Sequence, residues 1–172
     1  PNTDLPRFST PKNASLSPTN NFTLSVWAKP FIQEPPDDGT IFDNANSSNG
    51  FILMHDDFGS TIEPPEGRWN FQLQKSGTTL RVRTNIAPLA NTWQHVAGVF
   101  LDGTGSIYVN GELKGTGSFV NSTEVGNGNV DPYVGTSHGS TVNTIEPYSG
   151  SLQNMSLWNT AFTQDEINEL YN

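Results

Sequence analysis

Oxygen is the ligand chemistry this sequence offers most of. Asp37, Asp38, Asp43, Asn44, Asp56, Asp57, Glu63, Glu66, Glu124, Asp131 and Glu146 supply hard carboxylate and amide oxygens, the donors that calcium takes. None of them falls in an Asp-x-Asp-x-Asp loop, so no local spacing specifies an ion site. Cysteine is absent, which removes thiolate nucleophiles, soft metal sites and disulfides together. His55, His95 and His138 lack the His-x-x-x-His spacing that sets two imidazoles on one metal. Asp56 and Asp57 are adjacent, and on a strand their side chains would point to opposite faces instead of sharing a substrate. Covalent and acid–base catalysis are therefore poorly supplied, and an enzyme is not expected.

Recognition chemistry is better supplied. A glycan site needs an aromatic plane for the sugar face and amides or carboxylates for its hydroxyls. Phe58, Tyr133 and Tyr148 border loops, and Asn46, Asn49, His138 and Glu146 stand in polar loop segments. The expected ligand-binding set is Asn46, Asn49, Phe58, His138, Glu146 and Tyr148, with Tyr148 beside Glu146 and facing the 43–49 loop. The expected calcium ligands are Asp43, Asp56 and Asp57. Five Asn-x-Ser/Thr sequons, at Asn13, Asn21, Asn46, Asn121 and Asn154, are candidate glycosylation sites.

The elements that must position these residues are strands. Trp93 to Lys114 reads strand, Asp102-Gly103 turn, strand, Asn110-Gly111 turn, strand, because these dipeptides accept positive φ at little cost. Further strands are predicted near 22–29, 40–44, 50–55, 68–74, 79–84, 93–100, 106–110, 112–118, 130–135 and 151–159. Parity sets Trp69, Phe71 and Leu73 on one face against Arg68, Asn70 and Gln72 on the other, and Leu80 and Val82 against Arg81 and Arg83. Thr163 and Glu166 form a capping box ahead of Ile167, Leu170 and Tyr171, which predicts one short helix at the end. Four prolines extend residues 1–19 into a tail, with a short strand expected only around Arg7-Phe8-Ser9.

Three of these blocks carry a family resemblance. Trp93-Gln94-His95-Val96-Ala97 with Tyr108-Val109-Asn110-Gly111, the strand Phe22 to Pro30 and the strand Tyr148 to Asn159 resemble, in order, the core strands of laminin-G-like domains. The resemblance implies an all-β, antiparallel β-sandwich of the concanavalin-A-like jelly-roll class with one short C-terminal helix. It divides the chain into the tail 1–19 and a domain 20–172. It implies that Trp27, Trp93 and Trp158 are core residues and that His95 is a buried, hydrogen-bonded histidine. Pentraxin-like relatives place calcium in segments corresponding here to 43–49 and 136–147, which hold Asp43, Asn46, Asn49, Ser137, His138 and Glu146. The Glu-x-Asp-x-x-Glu motif of the related glucanases does not occur. The strand that in the family pairs with the closing strand is missing or shortened, so the edge at Asn154–Trp158 is expected to be covered by the tail or a neighbour.

Composition narrows the partners. At 172 residues with net charge −9 and 15% charged residues, the chain suits one turn-rich domain whose acidic field repels nucleic acid and anionic membranes. No apolar run is long enough to insert into a bilayer. The expected protein is a non-catalytic, extracellular carbohydrate-binding or adhesion module supported by calcium, partnered by a glycan or cell-surface glycoprotein. The alternatives are a fibre or adhesin subunit that self-associates by strand addition through the tail or the open edge, and an accessory domain of a polysaccharide-degrading enzyme.

Overall fold

Alternation of apolar and polar residues becomes strands packed in two layers. The computed structural model describes residues 8–33, 38–56, 67–138 and 146–172. Its strands are Phe8–Ser9 (β1), Phe22–Pro30 (β2), Gly39–Asp43 (β3), Gly50–Asp56 (β4), Arg68–Lys75 (β5), Thr78–Arg83 (β6), Gln94–Leu101 (β7), Thr104–Val109 (β8), Glu112–Ser118 (β9), Tyr133–Val134 (β10) and Gly150–Trp158 (β11). One sheet runs β1-β10-β3-β4-β5-β6 and the other β11-β2-β7-β8-β9. Each ladder pairs antiparallel, so the described residues form the expected sandwich.

The core is what parity puts inside. Phe22, Leu24, Val26, Phe51, Leu53, Trp69, Phe71, Leu73, Val96, Phe100 and Ile107 meet between the sheets as one buried cluster. Phe22 lies at its centre, 4.5 Å from Phe51, 5.7 Å from Phe100 and edge-on to Phe71 at 5.9 Å. Aromatic packing of this kind adds roughly 0.5–1.5 kcal/mol per pair beyond area burial. The turns at Asp102-Gly103 and Asn110-Gly111 have positive φ at all four residues, the geometry that matches two-residue hairpins.

The helix Gln164–Tyr171 (α1) closes the chain. Its N-cap Thr163 and Glu166 form the predicted capping box. Ile167 is fully buried against Ala97, Val99 and Tyr108, so α1 covers the outer face of the five-stranded sheet.

Two expectations are corrected. Trp93 is not a core residue: β7 begins at Gln94, and Trp93 stands 37% exposed just before it. Trp27 and Trp158 are half-buried on the outer side, because Val26 and Leu157 take the inward positions. The described part of the tail does not pair with the closing strand either. Phe8 and Ser9 pair with Val134 and Tyr133 in the other sheet. Among the described residues β11 pairs only with β2, so its second side is an edge. That edge is interrupted by a bulge between Gln153 and Ser156, with Asn154 at φ 52°.

Candidate recognition face

Strands β3 to β6 hold their apolar residues inward, so every second residue is presented on the outer side of the six-stranded sheet. Direct cross-strand partners share a face. One row of partners is Tyr133, Asp43, Ile52, Gln72 and Arg81, and the next is Thr40, Met54, Asn70 and Arg83. Asp56 and Arg68 form a third pair. This face is rich in carboxylate, amide and guanidinium groups; most of them are buried, while Arg81 is exposed and Tyr133 and Arg83 are partly so.

Asp56 organises its middle. The Arg83 Nε donates to Asp56 Oδ2 at 2.7 Å and the Asn70 Nδ2 donates to the same oxygen at 2.8 Å. Asp56 and Asn70 are buried, while Arg83 is partly exposed. Among the described residues the second amide atom, Asn70 Oδ1, is buried without a hydrogen-bond partner. A buried acceptor left unmade costs about 1–3 kcal/mol, so it calls for a donor from outside this set.

Asp43 organises the rim. Its Oδ1 accepts from the Ala45 amide at 2.8 Å, and its Oδ2 accepts from the His138 amide at 2.9 Å and lies 2.8 Å from His138 Nδ1. The other ring nitrogen of His138 lies 2.8 Å from the Asp131 carbonyl, and the ring meets Tyr133 edge-on at 4.6 Å. Partial burial works against a charged imidazole here. The hydrogen bond and charge of Asp43, aided by Asp131, outweigh it and hold the His138 pKa above its usual value.

The remaining candidates scatter. Glu146 accepts from Thr40 Oγ1 at 3.3 Å and so borders the same face. Tyr148 differs from expectation: its partly buried ring packs against the core, its hydroxyl has no hydrogen-bond partner among the described residues, and burial raises the phenol pKa. Asn46 and Asn49 shape their own loop. Asn46 Oδ1 accepts from Ser48 and Asn49 amides, and Asn49 Oδ1 from the Ser76 amide. Asn46 Nδ2, the atom a glycan would occupy, donates one N–H to Gly128 O at 2.8 Å. Asn13 caps a 3-10 turn and Asn21 accepts from the Asp102 amide. Asn121 and Asn154 are exposed. Phe58 and Asp57 lie outside the described residues. His95 is buried as expected, but its Nδ1 has no hydrogen-bond partner among the described residues.

Both oxygens of Asp43 are engaged, by His138 and Ala45, and Asp56 pairs with Arg83. Among the described residues no three His, Asp or Glu side chains gather for a metal. Sequence reasoning missed Asn70, Gln72, Arg81 and Arg83 as a site, although the outward parity of two polar strands was visible. It also passed over Gly135-Thr136-Ser137-His138-Gly139, which has Gly-x-Ser-x-Gly spacing. That pattern makes a nucleophile elbow only between a strand and a helix. Here Ser137 Oγ accepts from the Glu146 amide, and the His138 nitrogens face Asp43 and Asp131.

The fold has relatives among solved structures. Domain 4 of AbnA, an extracellular arabinanase from Geobacillus stearothermophilus solved with arabinotriose, superposes with a TM-score of 0.73 at 20% identity, over 96% of this chain and 72% of that one. The heptameric SAP-like pentraxin of Limulus polyphemus gives 0.64 at 21% identity, over 96% and 81%. The CBM40 of the Ruminococcus gnavus IT-sialidase, bound to α2,3-sialyllactose, gives 0.66 at 15% identity, over 96% and 92%. No curated protein sequence matches. With a family model that matches residues 6–168, the chain belongs to the concanavalin A-like lectin/glucanases superfamily.

Proposed function

We propose that this domain is a non-catalytic, extracellular carbohydrate-binding module, and that the outer face of the six-stranded sheet receives the sugar. One observation carries the proposal: behind the exposed Arg81 and partly exposed Arg83 lies a buried polar layer, in which Asp56 pairs with Arg83 and Asn70, and Asn70 Oδ1 has no hydrogen-bond partner among the described residues. Folding needs apolar residues inside the sandwich and has no need of an amide row outside it. Sugar hydroxyls accept from guanidinium groups, so the arginines held by this layer are the groups a sugar would meet first. Asp56 is held by the Arg83 guanidinium and Asp43 by His138, which suits a fixed binding surface. Two relatives, the arabinanase domain and the sialidase CBM40, were solved with oligosaccharides, which supports the ligand class.

Affinity electrophoresis in gels containing linear arabinan, xylan or mixed-linkage β-glucan tests the reading. The wild-type domain should be retarded in at least one gel, and Arg81→Ala with Gln72→Ala should weaken that retardation. A wild-type domain that migrates freely in every gel refutes it.

The strand-addition reading has one observation in its favour, the open side of β11. The bulge and the left-handed Asn154 break the regular ladder that an added strand would need.

A further inference from the structure

A second surface lies on the opposite side of the sandwich, on the outer face of the five-stranded sheet near the C-terminal end of α1. Ser151 pairs with Lys29, whose Nζ lies 5.5 Å from the centre of the Trp93 ring. Two residues along, Gln153, Trp27 and His95 face one another across three strands. Tyr171 from α1 stacks on Trp27 with centroids 5.8 Å apart and planes 27° from parallel. Trp93 and Tyr171 are each 37% exposed, Gln153 is exposed, and Trp27, Lys29 and Ser151 are half-buried. Neither Trp93 nor Tyr171 is needed to seat the helix, because Ile167 already fills the gap over Ala97 and Val99. Among the described residues Lys29 forms no ion pair.

We infer that this face is a second carbohydrate-binding surface, for a neutral polysaccharide chain lying flat across the strands. One sugar stacks on Trp93 and a neighbouring one on the Trp27–Tyr171 edge. Lys29, Ser151 and Gln153 bind hydroxyls between them. A sheet face is flat where the chain is flat, and aromatic planes alternate with amine, hydroxyl and amide groups. The six side chains include no aliphatic one and fall far short of the roughly 20–30 residues a side of a stable protein interface. A net charge of −9 repels a polyanion, which leaves the neutral glycan as the occupant. The inference rests on the carbohydrate reading for its ligand class but on separate residues, so the module holds two chains, one on each face.

The same gels separate the two. In a gel that retards the wild type, Trp93→Ala should lower apparent affinity roughly tenfold, the scale of one lost stacking partner. Trp93→Phe should keep most of the affinity, and Tyr171→Ala should act in the same direction as Trp93→Ala. Melting temperatures measured alongside distinguish lost contact from lost folding, and Trp93→Phe decides if Trp93→Ala melts early. Combining Trp93→Ala with Arg81→Ala should abolish a residual retardation that either change alone leaves. If Trp93→Ala and Tyr171→Ala run as the wild type while Arg81→Ala does not, the second surface is refuted and the first stands. If the wild type is never retarded, both fall.

Discussion

His95 sits on β7 with its ring 5.5 Å from that of Trp27 and 6.4 Å from that of Tyr171, and nothing described bonds its Nδ1. Burial lowers its pKa from 6.5 to about 4. His55, wedged against Trp69 with Nε2 3.0 Å from the Gln33 carbonyl, is likewise lowered to about 4, chiefly by burial. Both are neutral in the folded protein at pH 7. The sign follows from linkage: between pH 6.5 and 4 the unfolded chain binds protons at these positions and the folded chain does not, so stability falls as pH falls through that window. The upper bound is on the order of 3 kcal/mol for each group. Thermal unfolding from pH 7.5 to 4 should show a declining melting temperature, and His95→Phe should reduce the slope; an unchanged slope would count against a neutral, buried His95. His138 has the opposite sign, since its raised pKa contributes stability that is lost as pH rises through it. His95 was legible as a buried residue. Its missing partner was not, because a hydrogen-bond deficit depends on neighbours from three other segments.

The strands and the helix were the most legible elements. Turn dipeptides, parity and the capping box act within a few residues, and all eleven strands of the described residues fall within a few residues of their predicted spans. The differences have local causes. β10 is only Tyr133–Val134, because Pro132 has no amide to donate to a ladder and Gly135 takes a positive φ. Trp93 looked like the first residue of a core strand, but strand order puts the neighbouring Gln94 inside the end of β7 and leaves the indole on the outer side. Gly98 shows how tightly the elements meet. It pairs with Leu24 and Ile107, and a Cβ there would lie 2.7 to 2.9 Å from the Phe71 ring. Gly98→Ala should therefore cost about 1–3 kcal/mol of stability by overpacking. Chemical denaturation would check this, and a variant as stable as the wild type would show that Phe71 can move aside.

At the scale of the whole molecule, two sheets present two outward faces of different character. The face of β3 to β6 is carboxylate, amide and guanidinium, and the face of β2, β7 and β11 is aromatic with one lysine. Asp43 and Asp56 already hold His138 and Arg83, so any effect of calcium on stability is expected to depend on neither. Millimolar calcium chloride should leave the melting temperature of Asp43→Asn and Asp56→Asn variants shifted from the wild type by the same amount as without the ion. A calcium effect lost in either variant would make that carboxylate a ligand. Light scattering behind size exclusion is expected to return a monomer, because β1 pairs within its own chain and the β11 edge is broken at Asn154. A ladder of larger species would restore strand addition.

By itself the sequence determined the sandwich, the turns and the capped helix. Each of these rests on short-range periodicity or local turn and cap chemistry, which need no knowledge of what lies across the sheet. Only the tertiary structure decided that Asp56 meets Arg83 and Asn70, that Asp43 meets His138, 95 residues away, and that Tyr148 packs against the core while Trp93 stands exposed. Those facts depend on strand order and on which side of each sheet is covered. Side chains far apart in the chain become partners only when register sets them opposite one another.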